Sequence, residues 1–315
     1  MRLALLLFAA TLPAAEPVYE LAGQIDPETV ASITLYGATH PFTASSLSDD
    51  FGRFTFKKLM AATYTIAVYV PGEGEVRRTI EVGPGTADGR RRVHMALRLS
   101  DAMIDRSALN RQLAVSRRQL TIPDRAQREY ADAQKDLERH DTAGAEQHLE
   151  RAVEMAPQFS AAWNNLGTIA YQTQRYWQAE QRFREALRQD PSSYEPLVNL
   201  GGVLINQHKL DEAIEVNVHA VLVRPNDALA QSQLGMAYFE TGSYDLAVKH
   251  LETARKIDPA HFSHPQIFLA EIFQRRGDKR AAADVLEDFL RHHPDDPRTE
   301  LMRKRIREMR RDVPN

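Results

Sequence analysis

The 315-residue chain contains no cysteine. That excludes disulfides, thiolate metal sites, cysteine nucleophiles and an N-terminal lipid-modified cysteine. It carries little net charge, 40 lysines and arginines against 43 acids giving −3, so no global field directs it to nucleic acid. Long apolar runs are scarce too. The most concentrated one, Leu3 to Leu12, is too short to span a bilayer as a permanent helix. Catalytic signatures are missing: there is no nucleophile elbow, no glycine-rich phosphate loop and no zinc-protease helix motif. An enzyme is not expected, and no cofactor is implied.

At the N-terminus, Met1-Arg2 precedes that apolar run, which ends in Pro13-Ala14-Ala15-Glu16. One positive charge, a short hydrophobic stretch and small residues before a polar start describe a secretory signal peptide over 1–15. Cleavage after Ala15 places Pro13 three positions back, where a small residue is preferred. The expectation is an exported chain, in the periplasm or cell envelope of a bacterium or secreted, without a stable transmembrane segment after cleavage.

Residues 17–99 read as short strands. Ile33-Thr34-Leu35-Tyr36, Arg53-Phe54-Thr55-Phe56, Tyr64 to Val70, Thr79-Ile80-Glu81-Val82 and Val93 to Leu97 alternate, as half-buried strands require. Turn formers separate them: Asp49-Asp50-Phe51-Gly52, Pro71-Gly72-Glu73-Gly74 and Gly83-Pro84-Gly85. This spacing predicts a small antiparallel β-sandwich. The stretch Ser48 to Leu59 followed by Tyr64-Thr65-Ile66 resembles the carboxypeptidase-regulatory-like (prealbumin-like) domain, with its Asp-x-x-Gly-x-Phe hairpin. Here Ala62 stands at the usual glycine position. The resemblance implies a stability or adhesion module. Asp49 and Asp50 read as turn residues, because a hard-cation site needs six or more oxygen ligands. Residues 100–122 form a connector in which Ser100-Asp101 could start a helix and Leu113-Ala114-Val115 a short strand. Ile122-Pro123 then marks a break before Asp124.

From 124 onward a period appears. Pro157, Pro191, Pro225 and Pro259 stand 34 residues apart, and Pro294 follows one residue late. A fixed period of this length marks a helix pair that buries its apolar face only by stacking on copies of itself. Trp163, Leu166, Gly167, Tyr171, Tyr176, Ala179, Phe183 and Ala186 before Pro191 make this closely similar to a tetratricopeptide repeat (TPR). Five repeats are read over 124–294. The first has Asp132-Ala133 where Leu-Gly would stand, and the fifth carries an extra residue around His261 to Pro265. Residues 295–315 read as a capping helix with Leu301, Ile306 and Met309 on one stripe. The fold class is therefore multidomain: a small antiparallel β-sandwich followed by an all-α solenoid.

Groove residues follow from the resemblance, which implies that the first helix of each repeat lines a concave face. That assigns Asn164, Asn165, Thr168, Tyr171 and Gln172 from repeat two, and Val198, Asn199, Gly202, Ile205 and Asn206 from repeat three. Repeat four supplies Ser232, Gln233, Met236, Phe239 and Glu240. Asn165, Asn199 and Gln233 share one repeat position, and amides suit a peptide backbone because each offers donor and acceptor. The plainer alternative is that these asparagines serve hydrogen bonds within the array. Repeats two to four carry no groove lysine, which argues against a clamp for a C-terminal carboxylate. His261, His264 and His292-His293 read as solvated loop and helix-end residues, since no carboxylate or cysteine completes a tetrahedral metal set. The basic run Arg303-Lys304-Arg305 is diluted by Glu300 and Glu308 and reads as a solvated cap face.

The expected function is an exported, non-enzymatic adaptor that binds a protein or peptide segment in the groove. Its rival is a structural or adhesive envelope component in which the sandwich binds glycan or protein and the repeats act as a spacer.

Overall fold

The computed structural model describes residues 17–99, 104–105 and 121–311. The expected signal peptide and nearly all of the connector, with its suggested helix start at Ser100 and strand at Leu113 to Val115, lie outside these residues.

Seven strands come first: β1 (Tyr19–Asp26), β2 (Ser32–Gly37), β3 (Thr43–Leu47), β4 (Arg53–Leu59), β5 (Ala62–Val70), β6 (Gly74–Val82) and β7 (Arg92–Arg98). They form a three-stranded sheet, β4-β1-β7, and a four-stranded sheet, β3-β2-β5-β6. All pairs are antiparallel except β1–β7, which runs parallel from Glu20↔Arg92 to Asp26↔Arg98. Alternation sends Leu21, Ile25, Ile33, Leu35, Tyr64, Ile66 and Val68 into one shared core. At the β3–β4 turn, Asp49 Oδ1 accepts from the Phe51 and Arg53 backbone N–H groups at 3.0 and 2.9 Å. Its Oδ2 accepts from Arg53 Nε at 2.9 Å. These donors hold the carboxyl below its usual range and commit it to closing the hairpin.

Eleven helices follow among the described residues. They pair as α1 (Asp124–Glu138) with α2 (Thr142–Met155), α3 (Ser160–Gln172) with α4 (Tyr176–Gln189), and α5 (Tyr194–Asn206) with α6 (Leu210–Val223). Next come α7 (Ala228–Glu240) with α8 (Tyr244–Ile257), then α9 (Pro265–Arg275) with α10 (Lys279–His292), closed by α11 (Thr299–Arg311). Aspartates cap several of them: Asp141, Asp227 and Asp278 accept from the N–H three residues on, at 2.9, 3.0 and 2.9 Å. The helices of a pair touch through small residues. A Cβ on Gly167 would stand 2.6 Å from the Phe183 ring, a distance close packing forbids. Neighbouring repeats are tied by ion pairs that keep the 34-residue period. Arg175 grips Glu146 with two bonds of 2.7 and 3.0 Å, and Lys209 reaches Glu180 at 2.7 Å.

The cap buries Ile306 and Met309 as expected and differs at the first position of the stripe. Met302, Ile306 and Met309 are its buried stripe, whereas Leu301 is 55 % exposed. The i, i+4, i+7 spacing of the three buried residues matches one helix face better than a stripe begun at 301. Two of the cap's arginines are paired, Arg310 with Asp284 and Glu287 of α10 and Arg303 with Glu300.

The sandwich lies across the array, with its four-stranded sheet facing the concave side. β3 packs on α1, and the Phe42 ring stacks on His140 with centroids 5.0 Å apart. At the far side the β6 edge meets the end of the array, where the Thr79 N–H donates to Asp258 Oδ2 at 2.9 Å. That contact and the Glu75↔Asp105 bridge cover the outer edge of the strand.

Candidate ligand chamber

A cavity of about 530 Å3 lies between the sheet and the concave face. Strand alternation builds one wall. Thr34 and Tyr36 on β2, Thr43 and Ser45 on β3, Thr65 on β5 and Arg77 on β6 all point away from the sandwich core and into the cavity. The opposite wall comes from the first helices of successive repeats: Tyr130 on α1, Asn164, Asn165, Thr168 and Tyr171 on α3, Asn199 on α5 and Gln233 on α7.

Of the residues expected in the groove, Asn164, Asn165, Tyr171, Asn199 and Gln233 line this chamber, together with Thr168, Gln172 and Val198. Ile205, Asn206, Met236 and Phe239 do not. Ile205 is buried in the core between repeats. Met236 packs partly buried against two core clusters. Phe239 meets Phe268 edge-on at 5.3 Å and lines a separate cleft of about 170 Å3 beside Met302.

The amides are already linked from rung to rung. Asn165 Nδ2 donates to the Tyr130 hydroxyl at 3.1 Å, Asn199 Nδ2 to Asn164 Oδ1 at 3.1 Å, and Asn206 Nδ2 to the Tyr171 hydroxyl at 3.0 Å. Each bond spans 35 residues, one repeat plus one position. These bonds set the direction of each amide plane. Gln233 is the exception: it is 7 % exposed, and its Oε1 has no hydrogen-bond partner among the described residues.

One pole of the chamber is ionic. Arg224 Nη2 donates to Glu195 Oε1 at 2.9 Å, and Arg77 Nη2 reaches the same oxygen at 3.5 Å. Arg77 Nε also bonds Glu75 at 2.5 Å, and Arg224 lies 3.6 Å over the Tyr194 ring. Burial pushes the Glu195 carboxyl up, but Arg224 and Arg77 outweigh it and bring the pKa down to about 2. The two cations here come from a strand and a helix end rather than from groove lysines, and both are committed to acids of the chamber wall. Tyr36 keeps 42 % of its surface free, yet that surface opens inside the chamber, so desolvation raises its phenol pKa.

Of the histidines expected to be solvated, His264 and His292 are half-buried and His261 and His293 are fully buried. His261 is 4 % and His293 0 % exposed. His293 Nδ1 lies 2.6 Å from Glu81 Oε1 on β6, and its ring meets that of His264 edge-on at 4.6 Å. They are buried because the sandwich docks there, which their loop and helix-end positions in sequence do not reveal. The same holds for Tyr36, Arg77, Glu195 and Arg224. Alternation marks Tyr36 and Arg77 as outward-facing, but nothing local says what they face.

With this geometry in place, the chain can be set beside known proteins. The family described as "Cilia and flagella-associated protein 70 middle TPR-like domain" matches residues 129–291. The chain belongs to this family of TPR-like domains. The match runs from α1 to within two residues of the end of α10 and stops before the cap. Tetratricopeptide repeat protein 21B of Xenopus laevis is 31 % identical over 112 residues, 36 % of this chain and 8 % of that protein. A cell division cycle protein 16 homolog of Homo sapiens is 28 % identical over 119 residues, covering 35 % and 19 %. The chain thus spans less than a fifth of the length of these curated relatives. Among solved structures, PilW, a type IV pilus biogenesis factor, superposes with a TM-score of 0.54 at 18 % identity over 61 % of this chain and 88 % of that one. Pseudomonas aeruginosa PilF gives 0.53 at 19 % identity over 60 % and 86 %. At these identities the likeness is one of fold, the TPR solenoid. Among the described residues no helix is long and apolar enough to cross a membrane.

Proposed function

We propose that the chain is a non-enzymatic interaction scaffold that takes a short extended segment of a protein or peptide partner into the chamber. The observation that carries this is the enclosed TPR concave face, walled by oriented amides and phenols around the unpaired Gln233 Oε1. Peptide backbones offer regularly spaced N–H and C=O groups, which such a wall can match where bulk water is thinned. Asn164, Asn165, Tyr171, Asn199 and Gln233 would contact the segment directly. Asn206 would act indirectly, by holding the Tyr171 hydroxyl, while Ile205, Met236 and Phe239 pack away from the segment.

On the signal-peptide pattern of residues 1–15, the setting would be the bacterial cell envelope. The Asp49 to Phe54 hairpin and the Tyr64 strand entry support reading the sandwich as carboxypeptidase-regulatory-like. Its hydroxyl-bearing sheet face is turned into the chamber, which favours the groove reading over a glycan-binding sandwich carried on a spacer.

A phage-displayed library of random peptides, panned against the full chain, tests the reading. Enriched peptides should bind Asn165→Ala/Asn199→Ala roughly tenfold or more weakly, with unchanged helical circular dichroism. No enrichment, or equal affinity for the double variant, would remove it.

A further inference from the structure

The residues that would hold a ligand face the chain's own sandwich. The contacts that keep the sandwich there fall into two kinds on two sides. Beside α1 and α3 they include an apolar pivot: β3 on α1, and Phe42 stacked on His140, with Gln172 Nε2 donating to Gly37 O at 2.9 Å. Along the β6 edge and the turn after it they are directional and polar. Thr79 N–H bonds Asp258 Oδ2 at 2.9 Å, Glu81 Oε1 meets His293 Nδ1 at 2.6 Å, Gly85 N–H bonds Asp295 Oδ2 at 2.9 Å, and Arg77 Nη2 makes a longer contact to Glu195 Oε1 at 3.5 Å. Apolar stacking tolerates rotation, whereas hydrogen bonds weaken steeply with angle. A rotation about Phe42 therefore breaks the β6 side first. Polar interfaces between domains of one chain are the kind that open.

We propose that the sandwich is a lid on the concave face, latched through Asp258, His293 and Asp295, and that a polypeptide segment enters only when this latch releases. What enters rests on the groove reading above; the lid itself can be measured without a ligand. The resting chain is then self-closed, and affinity for a partner is lowered by the fraction of time the lid is shut.

The absence of cysteine makes the test clean. Asn199→Cys places a single thiol on the chamber wall, to be reacted with a maleimide whose polymer tail is larger than the chamber. Adding Asp258→Ala and Asp295→Ala should raise the labelling rate about tenfold, the effect expected on removing such bonds. The opposite arm is a staple. A Cβ on Gly85 would lie 2.7 Å from Asp295 Cγ, so Gly85→Cys/Asp295→Cys brings two Cβ atoms within the roughly 3.5–4.5 Å of a disulfide. Oxidation should suppress labelling at position 199, and reduction should restore it, with the labelled site located by peptide mass mapping. Labelling that ignores the oxidised staple overturns the lid, as does an unlatched chain that reacts no faster while melting normally. If the unlatched chain melts early, the staple arm decides alone. Labelling that obeys the staple while no library peptide is captured keeps the lid and rejects the groove reading.

Discussion

At the turn inside each helix pair, one residue sits in the left-handed region. Repeats four and five use Gly242 and Gly277 (both φ 77°), but repeats one to three use His140 (61°), Gln174 (61°) and His208 (56°). A side chain there costs roughly 1 kcal/mol, only partly offset by the lower chain entropy of a non-glycine residue. Gln174→Gly should therefore gain about 0.5 kcal/mol in urea unfolding, and Gly242→Ala should lose about 1 kcal/mol. Asn217 is a second soft point. It occupies the position of Phe183 and Leu251 in the flanking repeats, is fully buried, and leaves Oδ1 unpaired. Its Nδ2 donates to the Ala213 carbonyl at 2.8 Å. Leucine has nearly its shape and no orphaned oxygen, so Asn217→Leu should stabilise by about 1 kcal/mol, read as a higher denaturation midpoint with unchanged slope. Residue roles of this kind were legible in sequence wherever the period repeats them, as for Gly167 opposite Phe183. That Gln233 Oε1 has no partner among the described residues was not, because its surroundings are set by packing between repeats.

Elements follow the same division. β2, β4 and β5 were readable because apolar and polar residues alternate through them. β3 was not: Thr-Ala-Ser-Ser-Leu puts only Ala44 into the core, and the strand exists because β2 offers a paired edge from Ser32↔Leu47 to Tyr36↔Thr43. β1 is interrupted by Gly23, which a Cβ would drive into the Phe54 ring, so its alternation is weak. In α11 the stripe is legible at Ile306 and Met309 but not at its first position, since Leu301 and Met302 are both apolar and only docking on α9 and α10 chooses between them. Ile306 sits in the middle of the chosen face and is 8 % exposed. Ile306→Ala should cost about 2 kcal/mol, whereas Leu301→Ala should change urea stability by less than about 0.5 kcal/mol. Equal losses would mean that α11 is rotated from the face described here.

Across the whole molecule, no local pattern announces that the sandwich docks on the repeats. Its outward sheet face is polar, as any solvated face would be, and the docked histidines look like loop residues. Their burial makes the assembled chain sensitive to acid. Burial is the largest cause lowering the His264 pKa, with His293 and Arg298 adding to it against Asp296, to about 4. Burial also lowers His261, against the raising pull of Asp258 and Asp227, and lowers His40 and His140 at the pivot. Unfolding returns these imidazoles to about 6.5. Above that pH both states are neutral there and stability is flat. As the pH falls from about 6.5 toward 4 the unfolded state binds more protons, so the folded state loses stability, on the order of 2 kcal/mol from His264 alone. Glu195, held near 2, and Asp288 and Asp296, also shifted down, stay ionised when folded and add to the loss only as the pH nears 4, where their unfolded carboxyls take up protons, so histidines govern the slope from about 6.5 to 5. Thermal melting should therefore drop by several degrees between pH 6.5 and 4.5. His264→Asn keeps a residue that tolerates the left-handed backbone at this position (φ 52°) and removes the titrating ring. It should flatten that slope, and a variant melting with the parent's full pH dependence would place the proton uptake elsewhere.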